Sequence, residues 1–167
     1  MRSSSTAKET PLAIHHEEDT MTDNPEYNKD KQEEPALSLA PDLQFSVLCD
    51  DVRQEIYGKL ILIGLFEAIR AKVFPVRHPV LYIVNRWRNG EGTFVERTRL
   101  VSARNEKIDE RPEARFTLPG MHTSHTVIHR LPNIQFDAAG TYWVEISLDG
   151  ELRHRYPIRL VGDSEEA

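Results

Sequence analysis

The sequence predicts an all-β protein: an antiparallel β-sandwich of about seven to nine strands, preceded by a disordered N-terminal segment. Two observations carry this expectation. From Leu43 onward the apolar residues recur with a period of two, as half-buried strands require. Turn signals also punctuate the chain at short intervals, with no convincing amphipathic helix between them. The 167 residues suit a single domain.

Residues 1–41 hold four basic and nine acidic side chains and lack apolar periodicity. Such a segment buries too little apolar surface to offset its ordering entropy, so it reads as disordered, as do residues 163–167. The folded part, 42–162, is left nearly neutral, and the net charge of −6 is mostly the tail's. "MRSSSTAKETPLAI" has no apolar core of a signal peptide, and Met21 is a second candidate start. The longest apolar run, "LILIGLF", is far short of the ~20 residues of a membrane helix. One cysteine, Cys49, permits no internal disulfide and fits a reducing cytoplasm.

Within the folded part, "LQFSVLC" alternates Phe45, Val47 and Cys49 against Gln44, Ser46 and Leu48. "CDDVRQEIYG" has room for one helical turn at most. "KLILIGLFEAI" is apolar on both faces and reads as a central or doubly covered strand, with Gly64 marking a bulge or a close backbone approach. "FPVRHP" is a connection, and "VLYIVNRW" turns at "NGEG" into "TFVERTRLV". Across that turn one face collects Leu81, Ile83, Trp87, Phe94 and Leu100, and the other Tyr82, Arg86, Arg97 and Arg99. A slip of one residue would bury the arginines, so the register is well specified. At Asp149-Gly150, a three-residue loop with Gly150 in a left-handed position places Tyr142, Val144 and Ile146 beside Leu152, His154, Tyr156 and Ile158.

"FDAAGTYWVEI" resembles the tyrosine corner of immunoglobulin-like sandwiches, which implies that Tyr142 hydrogen-bonds the corner backbone. No cysteine pair accompanies it, and Asp137 lies one residue upstream of the usual spacing. "CDDVRQEIYGKLILIGLFEAI", "FPVRHPVLYIVNRW" and the Gly-Thr-Tyr strand together resemble a family of small uncharacterised bacterial proteins, over about residues 43–161. The resemblance implies a bacterial origin and a sandwich domain, and it carries no active site with it.

Of the candidate sites, "GMHTSHTVIHRL" is the most suggestive of chemistry, because His122, His125 and His129 share a face if the segment is helical. Its β-branched residues favour a strand instead. His125 and His129 then lie ~13 Å apart at ~3.3 Å per residue, too far for one ion with ~2 Å Zn–N bonds, and His122 points to the other face. Solvated or interface histidines are the expectation, and no metal or other cofactor is expected. Arg86, Arg97 and Arg99 beside Tyr82 have the chemistry to bind oxyanions or nucleic acid, yet a nearly neutral domain with arginines on the wet side of a sheet is the ordinary pattern. Nucleic acid is therefore not expected as a partner. Trp143, between inward-facing Tyr142 and Val144, is a candidate interface anchor. Cys49 reads as a buried thiol, and Glu67, Asp50 and Asp51 as structural acids.

The sequence expectation is a non-enzymatic binding or scaffold module. It would meet a protein partner through an edge strand or through Tyr82, Arg86, Arg97, Arg99 and Trp143. The alternatives are a metal-assisted hydrolase using His125 and His129, and anion binding through the arginine face. Pro75, Pro79, Pro132 and Pro157 are placed to limit strand addition.

Overall fold

The computed structural model describes residues 38–162, so the expected disorder of the termini lies outside it, except for residues 38–41. These four are built into the domain: Leu39 exchanges backbone hydrogen bonds of 2.9 and 3.0 Å with Glu91, and Pro41 is buried. The folded part thus begins a few residues before the boundary read from composition.

Ten strands occupy the described residues, and no helix is present among them: β1 (Asp42–Gln54), β2 (Leu60–Leu65), β3 (Ala68–Ala71), β4 (Val76–Arg88), β5 (Glu91–Val101), β6 (Lys107–Glu110), β7 (Ala114–Pro119), β8 (Ser124–Phe136), β9 (Gly140–Leu148) and β10 (Glu151–Gly162). They form two sheets. One has the order β2-β1-β4-β8; the other runs β3-β10-β9-β5-β6, with β7 also paired to β5. All pairings are antiparallel except β3 with β10, a parallel pair that departs from the all-antiparallel expectation. A single apolar core, including Leu81, Ile83, Trp87 and Leu131 from the first sheet and Phe94, Leu100, Val144 and Ile158 from the second, lies between them.

Period two sorts the faces as the sequence predicts. Leu81, Ile83, Trp87, Phe94 and Leu100 are all buried, and Arg97 and Arg99 are exposed. The "NGEG" segment is not a hairpin within one sheet, however. β4 and β5 belong to different sheets, so Asn89-Gly90 carries the chain from one layer to the other. "CDDVRQ" is strand throughout and forms no helical turn, because β2 pairs with it from Gln54 back to Cys49.

"KLILIGLFEAI" departs furthest from expectation. It is not one central strand but two edge strands, β2 on the first sheet and β3 on the second. Leu60 and Leu62 are half-buried, whereas Ile61, Ile63 and Leu65 are 43%, 38% and 61% exposed. Gly64 does mark a close approach: it sits at φ 68°, and a Cβ there would meet Asp50 Oδ2 at 2.2 Å.

The β9–β10 connection is a two-residue turn, not the predicted three-residue loop. Asp149 and Gly150 both have positive φ, 50° and 83°, which is the arrangement favoured in tight hairpins. Three of the four expected residues still meet their partners, with His154 opposite Ile146, Tyr156 opposite Val144 and Ile158 opposite Tyr142, because an irregularity between Leu152 and His154 supplies the odd residue; Leu152, before it, lies opposite Ser147 and is exposed. At the other end of β9, the Tyr142 hydroxyl donates to the Ala138 carbonyl at 3.0 Å, and its ring meets Phe136 edge-on. Tyr142→Phe keeps the ring and removes that bond. The expected cost is about 0.5–1.5 kcal/mol, measured by urea denaturation, and an unchanged midpoint would show that the corner bond contributes nothing.

Candidate interaction surfaces and a buried carboxylate

Because β4 and β5 lie in different sheets, the residues predicted to form one arginine face occupy two. Arg97, Arg99 and Trp143 lie on the outer side of the second sheet, where Arg99 is opposite Glu145 and Val101 opposite Trp143. Glu145 is buried between two guanidinium groups, with Arg99 Nε at 2.5 Å and Arg155 Nε at 3.2 Å. Arg155 in turn stacks 4.4 Å above the Trp143 ring, so that ring is half-buried and not an open anchor. Arg97 pairs with Glu113 and lies 3.9 Å from Glu110. Carboxylates thus already hold Arg97, Arg99 and Arg155, which leaves these three little unmet charge for an incoming anion.

Tyr82 and Arg86 lie on the outer side of the first sheet, opposite Cys49 and Phe45. Arg86 donates to Ser124 Oγ at 2.8 Å and to Thr126 Oγ1 at 3.4 Å. Cys49 is wholly buried, as expected, yet it is opposite Tyr82 on the side turned away from the main core. Burial, with the nearby Asp50 and Asp51 charges, raises its thiol pKa and keeps it protonated. Apolar Phe45, Leu62 and Val84 and polar Lys59, Arg86 and Thr126 line a mixed groove of about 750 Å³ that Leu60 also borders.

The β1–β2 hairpin beside this groove carries five of the ten large apolar side chains that the described residues expose: Ile56, Tyr57, Ile61, Ile63 and Leu65. Ile56 and Tyr57, at its tip, are 92% and 88% exposed. That concentration makes the hairpin the main apolar patch of the described surface, and grouped exposure of this kind marks contact sites where scattered exposure does not.

The histidines do not assemble. His122 lies in the turn before β8, and the ring of His125 stacks on Phe116 at 4.9 Å and 5°. His129 is neither solvated nor at a surface, contrary to expectation: it is buried, and its Nε2 lies 2.7 Å from Glu96 Oε1. Among the described residues no group of three or more His, Cys, Asp or Glu side chains is arranged to hold a metal ion.

Glu96 is the residue that face-sorting by apolar content passes over. It is wholly buried and accepts hydrogen bonds from Asn85 Nδ2 at 2.7 Å, Thr98 Oγ1 at 3.0 Å, the Trp87 indole and His129. The alternation that places Leu81, Ile83, Trp87, Phe94 and Leu100 inward also places Asn85, Glu96 and Thr98 inward, so the signal was present in the parity. Burial works to raise the Glu96 pKa. The hydrogen bonds from His129, Trp87 and Asn85, with the charge on His129, outweigh it and hold the carboxyl below its ordinary value. Both carboxylate oxygens of Glu96 accept from protein donors, three on Oε1 and the Trp87 indole on Oε2, which is the arrangement of a structural acid.

A family model described as a family of unknown function (DUF6941) matches residues 44–161. The chain belongs to this family. Its span covers nearly all ten strands, from β1 to the end of β10, and agrees with the stretch whose motifs suggested an uncharacterised family. A search of curated proteins found no match. Membership of DUF6941 supplies the domain limits and no activity, so the functional argument rests on the surface.

The buried acid gives a pH-dependent stability. With the folded pKa lowered, the unfolded chain takes up the proton first, at about pH 4.3. The contribution is complete above that value and is lost as pH falls through the folded pKa. Glu96→Gln is expected to cost about 3–5 kcal/mol at neutral pH and to flatten the loss of stability below pH ~4.3. Denaturation midpoints across pH measure both; a neutral effect with an unchanged acid limb would refute the assignment.

Proposed function

We propose that the protein is a non-enzymatic binding module that engages a protein partner through the edge of β2 left unpaired among the described residues and the tip of the β1–β2 hairpin. One observation carries the reading: β2 is an edge strand whose run Leu60–Leu65 contains no charge and no proline, beside Ile56 and Tyr57 in nearly full exposure. Edge strands are ordinarily protected by such residues, and the other edges here have them. Pro132 lies in β8, the opposite edge of the same sheet, and Pro157 in the stretch of β10 that β3 does not cover. An unprotected apolar edge suits strand addition, in which backbone hydrogen bonds give affinity and alternate side chains give specificity.

The proposed scaffold is an immunoglobulin-like sandwich. Taking β1, β4 and β8 as strands A, B and E, and β5, β9 and β10 as C, F and G, the order within each sheet is that of the fold, and the tyrosine corner falls on strand F as it should. β2 and the hairpin tip are then an addition to the sandwich, which favours a role in contact over one in stability. A bacterial, cytoplasmic setting is part of the same reading, supported by the lone reduced Cys49. The hydrolase and anion-binding alternatives have less support, since Glu96 engages His129 and carboxylates engage Arg97 and Arg99.

Co-purification of the tagged full chain from its native host tests the reading. A partner recovered with the wild type is expected to be retained by Arg97→Ala and lost with Ile61→Lys, which leaves the core untouched. Loss with Arg97→Ala or Trp143→Ala and retention with Ile61→Lys would move the site to the outer face of the second sheet.

A further inference from the structure

We propose that the groove between the β1–β2 hairpin and the outer side of the first sheet binds a small amphipathic anion. The ligand class is an aliphatic carboxylate, its chain against Phe45, Leu62 and Val84 and its head at Arg86. This site is separate from the edge contact proposed above. Leu60 and Leu62 line the groove, whereas Ile61 and Ile63 alternate to the other face of β2.

The shape of the groove is set by the hairpin. Ile83 belongs to the core and Asn85 reaches Glu96 across it, so parity puts Val84 on the outer side with Tyr82 and Arg86. Yet Val84 is wholly buried. The hairpin lies over this part of the sheet, since Lys59, Leu60 and Leu62 line the same groove as Phe45, Val84 and Ile128. A sheet forms the floor and a strand the roof. The volume of about 750 Å³ falls within the range of small-molecule sites, ~300–1,000 Å³. Tyr57, at the hairpin tip, also lines the groove and is 88% exposed, so a seated chain would give its ring a cover.

Charge selects the occupant. Lys59 and Arg86 line the groove, and among the described residues no carboxylate does. Neither cation is in an ion pair among those residues, and Asp51, on the hairpin, pairs with Arg53 instead. Arg86 differs in this from Arg97 and Arg99, which meet Glu113 and Glu145. Ser124 Oγ at 2.8 Å and Thr126 Oγ1 at 3.4 Å hold the guanidinium in place, and as neutral groups they leave its charge uncancelled. They engage two of its five N–H donors, which leaves three for an incoming acceptor. A fixed, half-buried cation beside an apolar floor matches an anionic head on an apolar chain. Inorganic phosphate would leave the floor uncovered, and a neutral or cationic chain would leave the charge unmet.

Isothermal titration calorimetry of the full chain with decanoate tests the proposal, with decanol and decyltrimethylammonium as probes of the same chain length. Decanoate is expected to bind saturably at one equivalent, and the other two at least about tenfold more weakly. Arg86→Met keeps an apolar stem and removes the guanidinium. It should weaken decanoate about tenfold and leave decanol unchanged. Ile128→Asp, at a position 40% exposed, puts a carboxylate into the groove and should abolish decanoate binding, while Arg97→Ala on the other sheet should have no effect. Circular dichroism melts establish that each variant is folded, and the comparison of the three probes needs no variant at all. No saturable decanoate binding at millimolar concentration, decanol as tight as decanoate, or an unchanged affinity in folded Arg86→Met would overturn the proposal. Binding at several equivalents would do the same, as adsorption to the exposed hairpin. None of these results bears on the β2 edge, which Ile61→Lys tests separately.

Discussion

The Glu96 carboxylate is the point at which the two sheets are fastened to each other. It projects from β5 in the second sheet and takes hydrogen bonds from Asn85 and Trp87 on β4 and from His129 on β8, all in the first. Apolar contacts between layers tolerate sliding, whereas a buried charge with several donors in fixed directions does not. Displacing β5 by one residue would withdraw the carboxylate from its donors and turn Arg97 toward the core, an uncompensated charge on both counts. The network therefore fixes how β4, β5 and β8 stand relative to one another more than it adds net stability. The rest follows from that placement: Phe94 and Leu100 meet Trp87 and Leu81 in one core, and the arginines of β5 are left outside.

Much of this could be read from the alternation of side chains. Leu81, Ile83, Trp87, Phe94 and Leu100 are inward because period two admits only two faces and the arginines claim one of them. Tyr142 was legible through its corner motif, and its hydroxyl does reach the Ala138 carbonyl. What alternation cannot reveal is the sheet to which a strand belongs. The same in-and-out pattern describes β4 and β5 whether they pair with each other or face each other across a core, so Tyr82 and Arg86 were joined to Arg97 and Arg99 although they lie on opposite outer surfaces. Parity also holds for polar residues, and Asn85, Glu96 and Thr98 were passed over because the inward face was chosen by apolar content.

The run "KLILIGLFEAI" departs from its expected place for a different physical reason. Hydropathy records what a side chain would gain by leaving water, and not whether the folded chain supplies a cover. In most strands apolar character on both faces means burial by neighbours on both sides. Here β1 covers one edge of β2 and the groove beside Val84 takes Leu60 and Leu62, while Ile61, Ile63 and Leu65 are only partly covered by the described domain. The excess apolarity is thus explained by a surface the domain leaves open.

The distribution of charge points the same way. On the outer side of the second sheet, Arg99 and Arg155 converge on Glu145, and Arg97 pairs with Glu113, so these groups satisfy one another within the chain. A surface closed in this manner gains little from a partner, because any contact must first displace pairs that already exist. At the β2 edge the reverse holds. Among the described residues β2 pairs with β1 alone, the apolar side chains lose nothing by being covered, and a strand added there gains hydrogen bonds and buries area together. Of the described surfaces, this is the one where association has the least to undo, which is why the contact is placed on the hairpin and not on the arginines.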